Sequence, residues 1–451
     1  MQMSDSMKNP QKKNFDFPEK EALVKSVAEY LETGEKADAV FERNFSKIAR
    51  SEARNEANSV YKTFLRNKIA IESCLKNLCP KSPKKKLRVA IFAAAADCIA
   101  RKKTFQAVDS WVEFIKKNLS AREGGFANAV LRKIPAEYAK LLESAEKSPT
   151  CENLSSAYSH PLWLVERWVG EFGIEKTTEI LKANSQTSKV FFRSSMSPKA
   201  DGLVKEFSES LLPTPFEDFF VLKSGEWSVA EKLLDSGCFY IQDPSTSFAP
   251  RLLNPKAGEK ILDLCAAPGG KSRYCADIVL RGTIFDEKKC ADTLIVSSDL
   301  AGARMDTLRE NLKHVGFLRT EAVEADLSAA DSLRSELEKK SLPLEYDAVL
   351  LDAPCSNTGV LRRRPDARYR LSEDAIAENV RLQRTLIKNA MKFVKKGGRF
   401  VYSTCSIERA ENIENAEFAL GENPDFRLVE SKVSFPDEFQ DGEGAFLFER
   451  I

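Results

Sequence analysis

Hydrophobic positions repeat with two different periods along this chain, and the change of period divides it. Between residues 20 and 145, the segments EALVKSVAEYLET, SVYKTFLRNKIAIESCL, KKLRVAIFAAAADCIARK and VDSWVEFIKKNL carry apolar residues at three- and four-residue spacing, without strand-like alternation. This pattern predicts an all-helical region. Pro80-Lys81-Ser82-Pro83 breaks it, and Gly124-Gly125 precede a last amphipathic helix, FANAVLRKI. Pro135 and the polar run 144–156 mark its end, so the helical domain is placed at 19–148, after a disordered tail over 1–18. Residues 149–240 are patterned more weakly. PLWLVERWVGEFG predicts a helix ending at Gly173, KVFFRSS a strand, and ADGLVKEFSESL with EDFFVLKSG a small α+β unit.

From residue 241 strand and helix alternate. KILDLC (260–265), TLIVSSD (293–299), TEAVEAD (320–326), DAVLLD (347–352) and RFVYST (399–404) predict strands. Helical segments fall between them, notably 375–394, which keeps Ile376, Val380, Ile387 and Val394 on one side. Such alternation predicts an α/β domain over 241–451, a doubly wound, mostly parallel Rossmann-like sheet. In such a sheet ligands bind beyond the carboxyl ends of the strands.

Composition narrows the class. At 451 residues, 43% hydrophobic and 30% charged, the chain suits two or three soluble domains. No apolar run approaches the roughly 20 residues that span a bilayer. The first eighteen residues are polar and lack the apolar core of a secretory signal, so a cytoplasmic protein is expected, with no membrane partner. Ten cysteines without a Cys-x-x-Cys pair, and only His160 and His314, argue against a disulfide framework and a metal site. Most thiols, Cys98 among them, are expected to be small buried hydrophobes. Nothing sets an oligomeric state, and a monomer is expected.

The net charge of +2 conceals an asymmetry. Residues 1–150 hold 29 Lys and Arg against 19 Asp and Glu, and the remainder 40 against 48. A basic amino-terminal third points to a polyanionic partner.

Candidate chemistry collects at predicted strand ends. Cys355 follows DAVLLD in Asp352-Ala353-Pro354-Cys355-Ser356, and Cys405 follows RFVYST in Ser403-Thr404-Cys405-Ser406. Two thiols so placed suggest a cysteine nucleophile with a helper. The first strand runs into Cys265-Ala266-Ala267-Pro268-Gly269-Gly270-Lys271-Ser272. This glycine-bearing turn brings backbone close to a ligand and opens a helix whose amino terminus attracts anions. It matches neither Gly-x-Gly-x-x-Gly nor Gly-x-x-x-x-Gly-Lys-[Ser/Thr], which disfavours NAD and ATP. Asp299 at the end of the second strand suits ribose hydroxyls, and Asp326 at the end of the third suits an adenine amine. Together these suit S-adenosyl-L-methionine, with Arg304 and Asp352 completing the cofactor set. The stretch from Gly270 to Asp299 exceeds the roughly 20 residues of a compact unit, and the excess is assigned to a charged insertion around 281–292. Beyond Cys355, Arg362, Arg363, Arg364 and Arg368 suit phosphate contacts, and Tyr369 suits stacking on a base.

CAAPGGK (265–271), DAPCSNTG (352–359) and YSTCS (402–406) resemble the RNA cytosine-C5 methyltransferases, and within them the bacterial RsmB type that modifies 16S ribosomal RNA. GGFANAVLRKI is similar to the end of the helical NusB RNA-binding fold, and FYIQDPSTSFAP (239–250) to the segment that leads into the catalytic domain. The resemblance implies methylation of a cytosine in 16S rRNA, as naked RNA or in an assembly intermediate. It assigns the nucleophile to Cys405 and breakdown of the covalent adduct to Cys355. The residues alone leave that ranking open, because DNA cytosine methyltransferases use the Pro-Cys thiol. Asp352 is expected to accept from the cytosine amino group or pair at N3, and Lys271 to lower a thiol pKa or polarise the base. The chain departs from the family at Asn357, where glycine is usual, and at FFRSS (191–195), which replaces Arg-Val-Asn. Two other readings stand beside this one: a tRNA or other rRNA cytosine-C5 methyltransferase, and a non-catalytic RNA-binding assembly or antitermination factor. The presence of Lys271, Asp352, Cys355 and Cys405 together argues against the last.

Overall fold

The computed structural model describes residues 17–48, 51–101, 104–195, 197–223, 225–329 and 331–451. Of the expected tail, residues 1–16 lie outside the described residues, whereas Phe17 and Pro18 open the first helix. The described residues form two compact units, one of residues up to 186 with 364–370, and the other of residues 187–363 with 371–451.

The first unit is helical: α1 (Phe17–Thr33), α2 (Ala37–Phe45), α3 (Ser51–Leu78), α4 (Lys85–Arg101), α5 (Thr104–Asn118), α6 (Ala121–Leu131), α7 (Ile134–Lys147), α8 (Cys151–Tyr158) and α9 (Leu162–Ser185). Their apolar stripes converge on a core that includes Leu23, Val27, Phe45, Phe64, Phe92 and Trp111. Inside it the Trp111 indole donates to Asp97 at 2.8 Å, so this buried carboxylate is matched by a buried donor. Two expected boundaries move. Helix α6 begins before the paired glycines, because Ser120 caps it there: its hydroxyl accepts from Glu123 N and donates to the Glu123 carboxylate. Gly124 lies inside that helix because a Cβ there would come within 2.3 Å of Lys116 Cγ, so α5 and α6 approach too closely for a side chain. The helix that opens at Leu162 breaks at Gly173 as expected, where φ is 79° and ψ 166°, and a second helical stretch then runs to Ser185 within α9. Since α8 packs on α3 and α7, and α9 on α8, the helical domain ends at 186 rather than at the expected 148.

The second unit opens with β1 (Phe191–Ser194), α10 (Pro198–Glu206), β2 (Leu211–Pro213), β3 (Phe219–Leu222), α11 (Trp227–Asp235) and β4 (Phe239–Ile241). Its four strands form an antiparallel sheet of order β2-β3-β1-β4. The expected α+β unit therefore exists, but it is not separate: Arg193 of β1, 1% exposed, hydrogen-bonds Gln242 at 2.7 Å and pairs with Asp277. Asp277 lies within the helix that follows the cofactor loop, so the FFRSS segment is a structural tie.

The chain continues through α12 (Phe248–Leu253), β5 (Lys260–Leu264), α13 (Gly270–Gly282), α14 (Glu287–Cys290), β6 (Leu294–Asp299), α15 (Ala303–Leu312), β7 (Arg319–Glu324), α16 (Ser332–Lys339), β8 (Tyr346–Asp352), α17 (Ala367–Arg370), α18 (Glu373–Met391), β9 (Val394–Thr404), α19 (Ile413–Glu422), β10 (Phe426–Ser434) and β11 (Glu443–Arg450). The sheet order is β10-β11-β9-β8-β5-β6-β7. Strands β5 to β9 pair in parallel, as the alternation of elements predicts, with Leu262, Val296, Val349 and Leu351 in the core between sheet and helices. The closing antiparallel pair β10–β11 was not among the expected strands. Most of β10 is exposed, so its sequence lacks the alternation of a half-buried strand. Val394 begins β9 instead of ending α18. The expected insertion is the turn and short α14 between α13 and β6. Residues 364–370, although flanked by the catalytic unit, belong to the helical one.

Candidate active site

Parallel pairing of β8 and β9 places Asp352 opposite Ser403, and Ala353 N donates to Ser403 O at 2.9 Å. Both cysteine loops therefore leave adjacent strands at one level. Cys355 lies three residues beyond the pair and Cys405 two, and their sulfurs are 3.2 Å apart with no disulfide between them. The loops are fastened to each other. Gly359 N donates to Cys405 O at 3.1 Å, Ile407 N to Thr358 Oγ1 at 3.1 Å, and the Thr358 and Ser406 hydroxyls meet at 3.0 Å. Glu411, buried, accepts from Ser356 N at 2.9 Å and from Gln383 at 3.1 Å. Asn357 adopts φ 62°, a left-handed conformation that asparagine tolerates, so the turn survives without the usual glycine. Its amide holds Cys355 O at 2.8 Å and accepts from the Cys405 thiol at 3.3 Å.

The hydrogen bond between the two sulfurs, and then burial, push the Cys355 thiol well above the usual cysteine range.

Lys271, 7% exposed, stands at the same strand ends, 2.7 Å from Asp352 Oδ1 and 3.6 Å from Glu443 Oε1. Burial opposes its charge, but Asp352 and Glu443 outweigh burial and hold the ammonium above its ordinary value. Cys405 contributes in the same direction, so Lys271 and a Cys405 thiolate would stabilise one another. Glu443 was not a sequence candidate. A single glutamate heading a short apolar segment, EGAFLFER, carries no motif. Only the antiparallel register, with Gly444 opposite Thr404, shows that the next step places Glu443 against Cys405.

The cofactor loop follows β5 as expected. Cys265 turns the chain at φ 57°, Ala266 and Ala267 are buried, and Pro268 leads to Gly269 at φ 103°. A Cβ on Gly269 would lie 2.9 Å from Leu308 Cδ1, so the turn has room for glycine only. Gly270 begins α13, whose first amides lack partners within the helix. Asp299 ends β6 and accepts from Ala267 N and Leu300 N, both at 2.8 Å. Arg304 lies across the loop, bonded to Ala267 O and 3.7 Å from Asp299. Asp326 sits two residues past β7 rather than at its end. It is exposed and accepts from Ser328 Oγ and Ser328 N, which hold its carboxyl below the usual range.

The arginine segment is corrected. Arg362 is 2% exposed and pairs with Asp441, and Arg363 pairs with Asp441 and Asp243. Arg368 is fully buried and donates to the carbonyls of Tyr158, Ser159 and Asn184 at 3.2–3.3 Å. Tyr369 donates to Leu65 O at 2.7 Å, with Lys68 over its ring. These four groups are committed internally, and the buried guanidiniums of Arg362 and Arg368 require such carboxylates or carbonyls around them. Of the expected RNA contacts, Arg364 alone is exposed.

Comparison with known proteins agrees with this geometry. Residues 250–449 match the model of the 16S rRNA methyltransferase RsmB/F family. The probable ribosomal RNA small subunit methyltransferase B of Bacillus subtilis (strain 168) is 30% identical over 380 residues, 81% of this chain and 79% of that one. Among solved structures, PH0851 has a TM-score of 0.70 at 22% identity, covering 98% of this chain and 100% of that one. NSun6 from Pyrococcus horikoshii, solved with SFG, has a TM-score of 0.51 at 19% identity, covering 63% and 97%. The residues present fit S-adenosylmethionine: free amides at the start of α13 for its carboxylate, Asp299 for the ribose and the exposed, ionised Asp326 for the adenine amine. With its family model matched across the catalytic sheet and a 30% identical relative covered over four-fifths of its length, this chain belongs to the RsmB/F family of 16S rRNA methyltransferases and uses S-adenosylmethionine.

Proposed function

We propose that this protein methylates C5 of a cytosine in 16S ribosomal RNA through a covalent bond between Cys405 and C6 of the base. The observation that carries the reading is the pair of thiols, 3.2 Å apart at the ends of adjacent strands, beside the Lys271–Asp352 pair. Methylation at an oxygen or an exocyclic nitrogen has no use for such thiols. C5 of cytosine is a poor nucleophile, and addition of a thiolate across C6 makes C5 enamine-like. When bound, S-adenosylmethionine supplies an electrophilic methyl group. Once C5 holds the methyl group, the C5 proton passes to a base or to solvent, the C6–sulfur bond breaks, and the Cys405 thiolate leaves as the aromatic base is restored.

Each residue has a part in that sequence. Cys405 takes the nucleophile's part, as the resemblance in YSTCS implies, and Cys355, whose thiol the Cys405 hydrogen bond and burial push up, stands beside it. Lys271 offers the positive charge a thiolate needs. Asp352, with a third of its side chain accessible, is placed to accept from the cytosine amino group or pair at N3. Cys355 lies within reach of the C6–sulfur bond and assists its breakdown. The base must leave its stack to reach Cys405, which favours a single-stranded segment or an assembly intermediate. The basic amino-terminal third and exposed Arg364 are suited to RNA backbone. Among the described residues no helix is long and apolar enough to cross a membrane, and we place the activity in the cytoplasm.

The reading is tested with tritiated S-adenosylmethionine and unmodified 16S rRNA. Wild-type protein is expected to place label in 5-methylcytosine and Cys405→Ser to place none. Label in tRNA but not 16S rRNA would keep the chemistry and reject the substrate. Label in any other nucleoside would reject the mechanism.

A further inference from the structure

Glu443 is a carboxylate with no ordinary reason to be where it is. Its side chain is fully buried, and neither oxygen has a hydrogen-bond partner. Burial of an unpartnered carboxylate is costly, and the structure tolerates it 3.6 Å from one cation, Lys271. That cation already has a better partner, Asp352 at 2.7 Å. The two carboxylates differ in access: 34% of the Asp352 side chain is exposed, against 8% of Lys271 and none of Glu443. Asp352 faces the cleft and Glu443 stands behind the lysine.

An incoming cytosine makes the difference matter. The Asp352 oxygen that accepts from the base is drawn away from Lys271. A buried ammonium stripped of its counter-ion is strongly disfavoured. We propose that Glu443 is the second counter-ion of Lys271, taking up its charge while Asp352 is engaged with the base. Glu443 is thus a positioning residue, acting through Lys271 and not on the base. The inference rests on the cytosine reading for the identity of what draws Asp352 away. Its electrostatic part does not depend on that reading.

The resting state is consistent with this role. Burial raises the Glu443 carboxyl well above the usual range; Lys271 opposes that shift, while the negative charges of Asp352, Cys405 and Asp243 add to it. With Asp352 in place the protonated form is favoured, and drawing the Asp352 charge toward the base weakens that preference, so that Glu443 can give up its proton. Lys271 then holds a carboxylate in either state.

Two measurements test it. In thermal unfolding at neutral pH, Glu443→Gln and Asp352→Asn are each expected to shift the midpoint little. The double variant, which leaves Lys271 without a counter-ion, is expected to fall about 5 °C or more below the sum of the two. Additive shifts would overturn the proposal, whatever the RNA substrate proves to be. In turnover assays, Glu443→Gln is expected to lower kcat by about tenfold to a hundredfold with the Kd for S-adenosylmethionine unchanged, and Glu443→Asp to restore most of it. Wild-type kcat in Glu443→Gln, or equal losses in Gln and Asp together with a lowered unfolding midpoint, would show a merely structural residue and overturn the proposal.

Discussion

Asp263 shows how burial sets the chemistry of single groups here. It lies in β5, fully buried, with Ser272 Oγ hydrogen-bonded to one oxygen and no partner on the other. Burial raises its pKa from 3.8 to about 7 despite the Ser272 hydrogen bond. In the folded protein Asp263 therefore binds its proton more tightly than in the unfolded chain. Stability accordingly falls as pH rises from about 4 to about 7, and levels off above. Asp263→Asn keeps an acceptor for Ser272 and is expected to flatten that part of the pH–stability profile, measured by thermal unfolding at pH 4–8; an unchanged slope would contradict it. At this scale Lys271, Asp352, Cys355 and Cys405 were legible because each sits in a short motif at a strand end. Glu443 was not, since its neighbours in sequence say nothing about Lys271. Arg362 and Arg368 were misread for the converse reason. A run of arginines reads as a solvated cationic patch, and only the fold brings Asp441 and the 158–159 carbonyls to them.

The two cysteine loops act as one element, because their backbones cross at Gly359. A Cβ on that residue would lie 2.2 Å from Gly442 O and 2.9 Å from Cys405 O, both backbone atoms that cannot swing aside. Gly359→Ala is expected to cost about 1–3 kcal/mol of stability, and to lower methylation far more than stability by displacing Cys405. Denaturant unfolding with a parallel activity assay checks this, and wild-type activity would contradict it. The central parallel strands β5, β6 and β8 were legible because they are buried on both faces. Helix ends were less so. The glycines at 124 and 173 read as breakers alike, yet Gly124 lies inside α6 against Lys116, whereas Gly173, at φ 79°, does break its helix.

Across the whole molecule, sequence order and spatial grouping disagree at one place. Residues 364–370 leave the catalytic unit and complete the helical one, where Arg368 satisfies the carbonyls that end α8 and α9. Arg368→Ala would remove one donor from each of those carbonyls, at about 1–3 kcal/mol in all. The expected result is faster amide exchange across 151–186, and exchange unchanged there would contradict it. No composition or periodicity argument assigns seven residues of one unit to another, which is why the boundary at 148 and the RNA role of this segment both required the structure.

The central claim is that Cys405 bonds to the base and that Cys355 helps break that bond. The most direct measurement incubates Cys355→Ser with 16S rRNA and S-adenosylmethionine, digests the RNA and protein, and identifies the modified peptide by mass. A methylated cytidine carried on Cys405 is the predicted result. A peptide with Cys405 unmodified while methylation proceeds, or a nucleotide found on another residue, would contradict it.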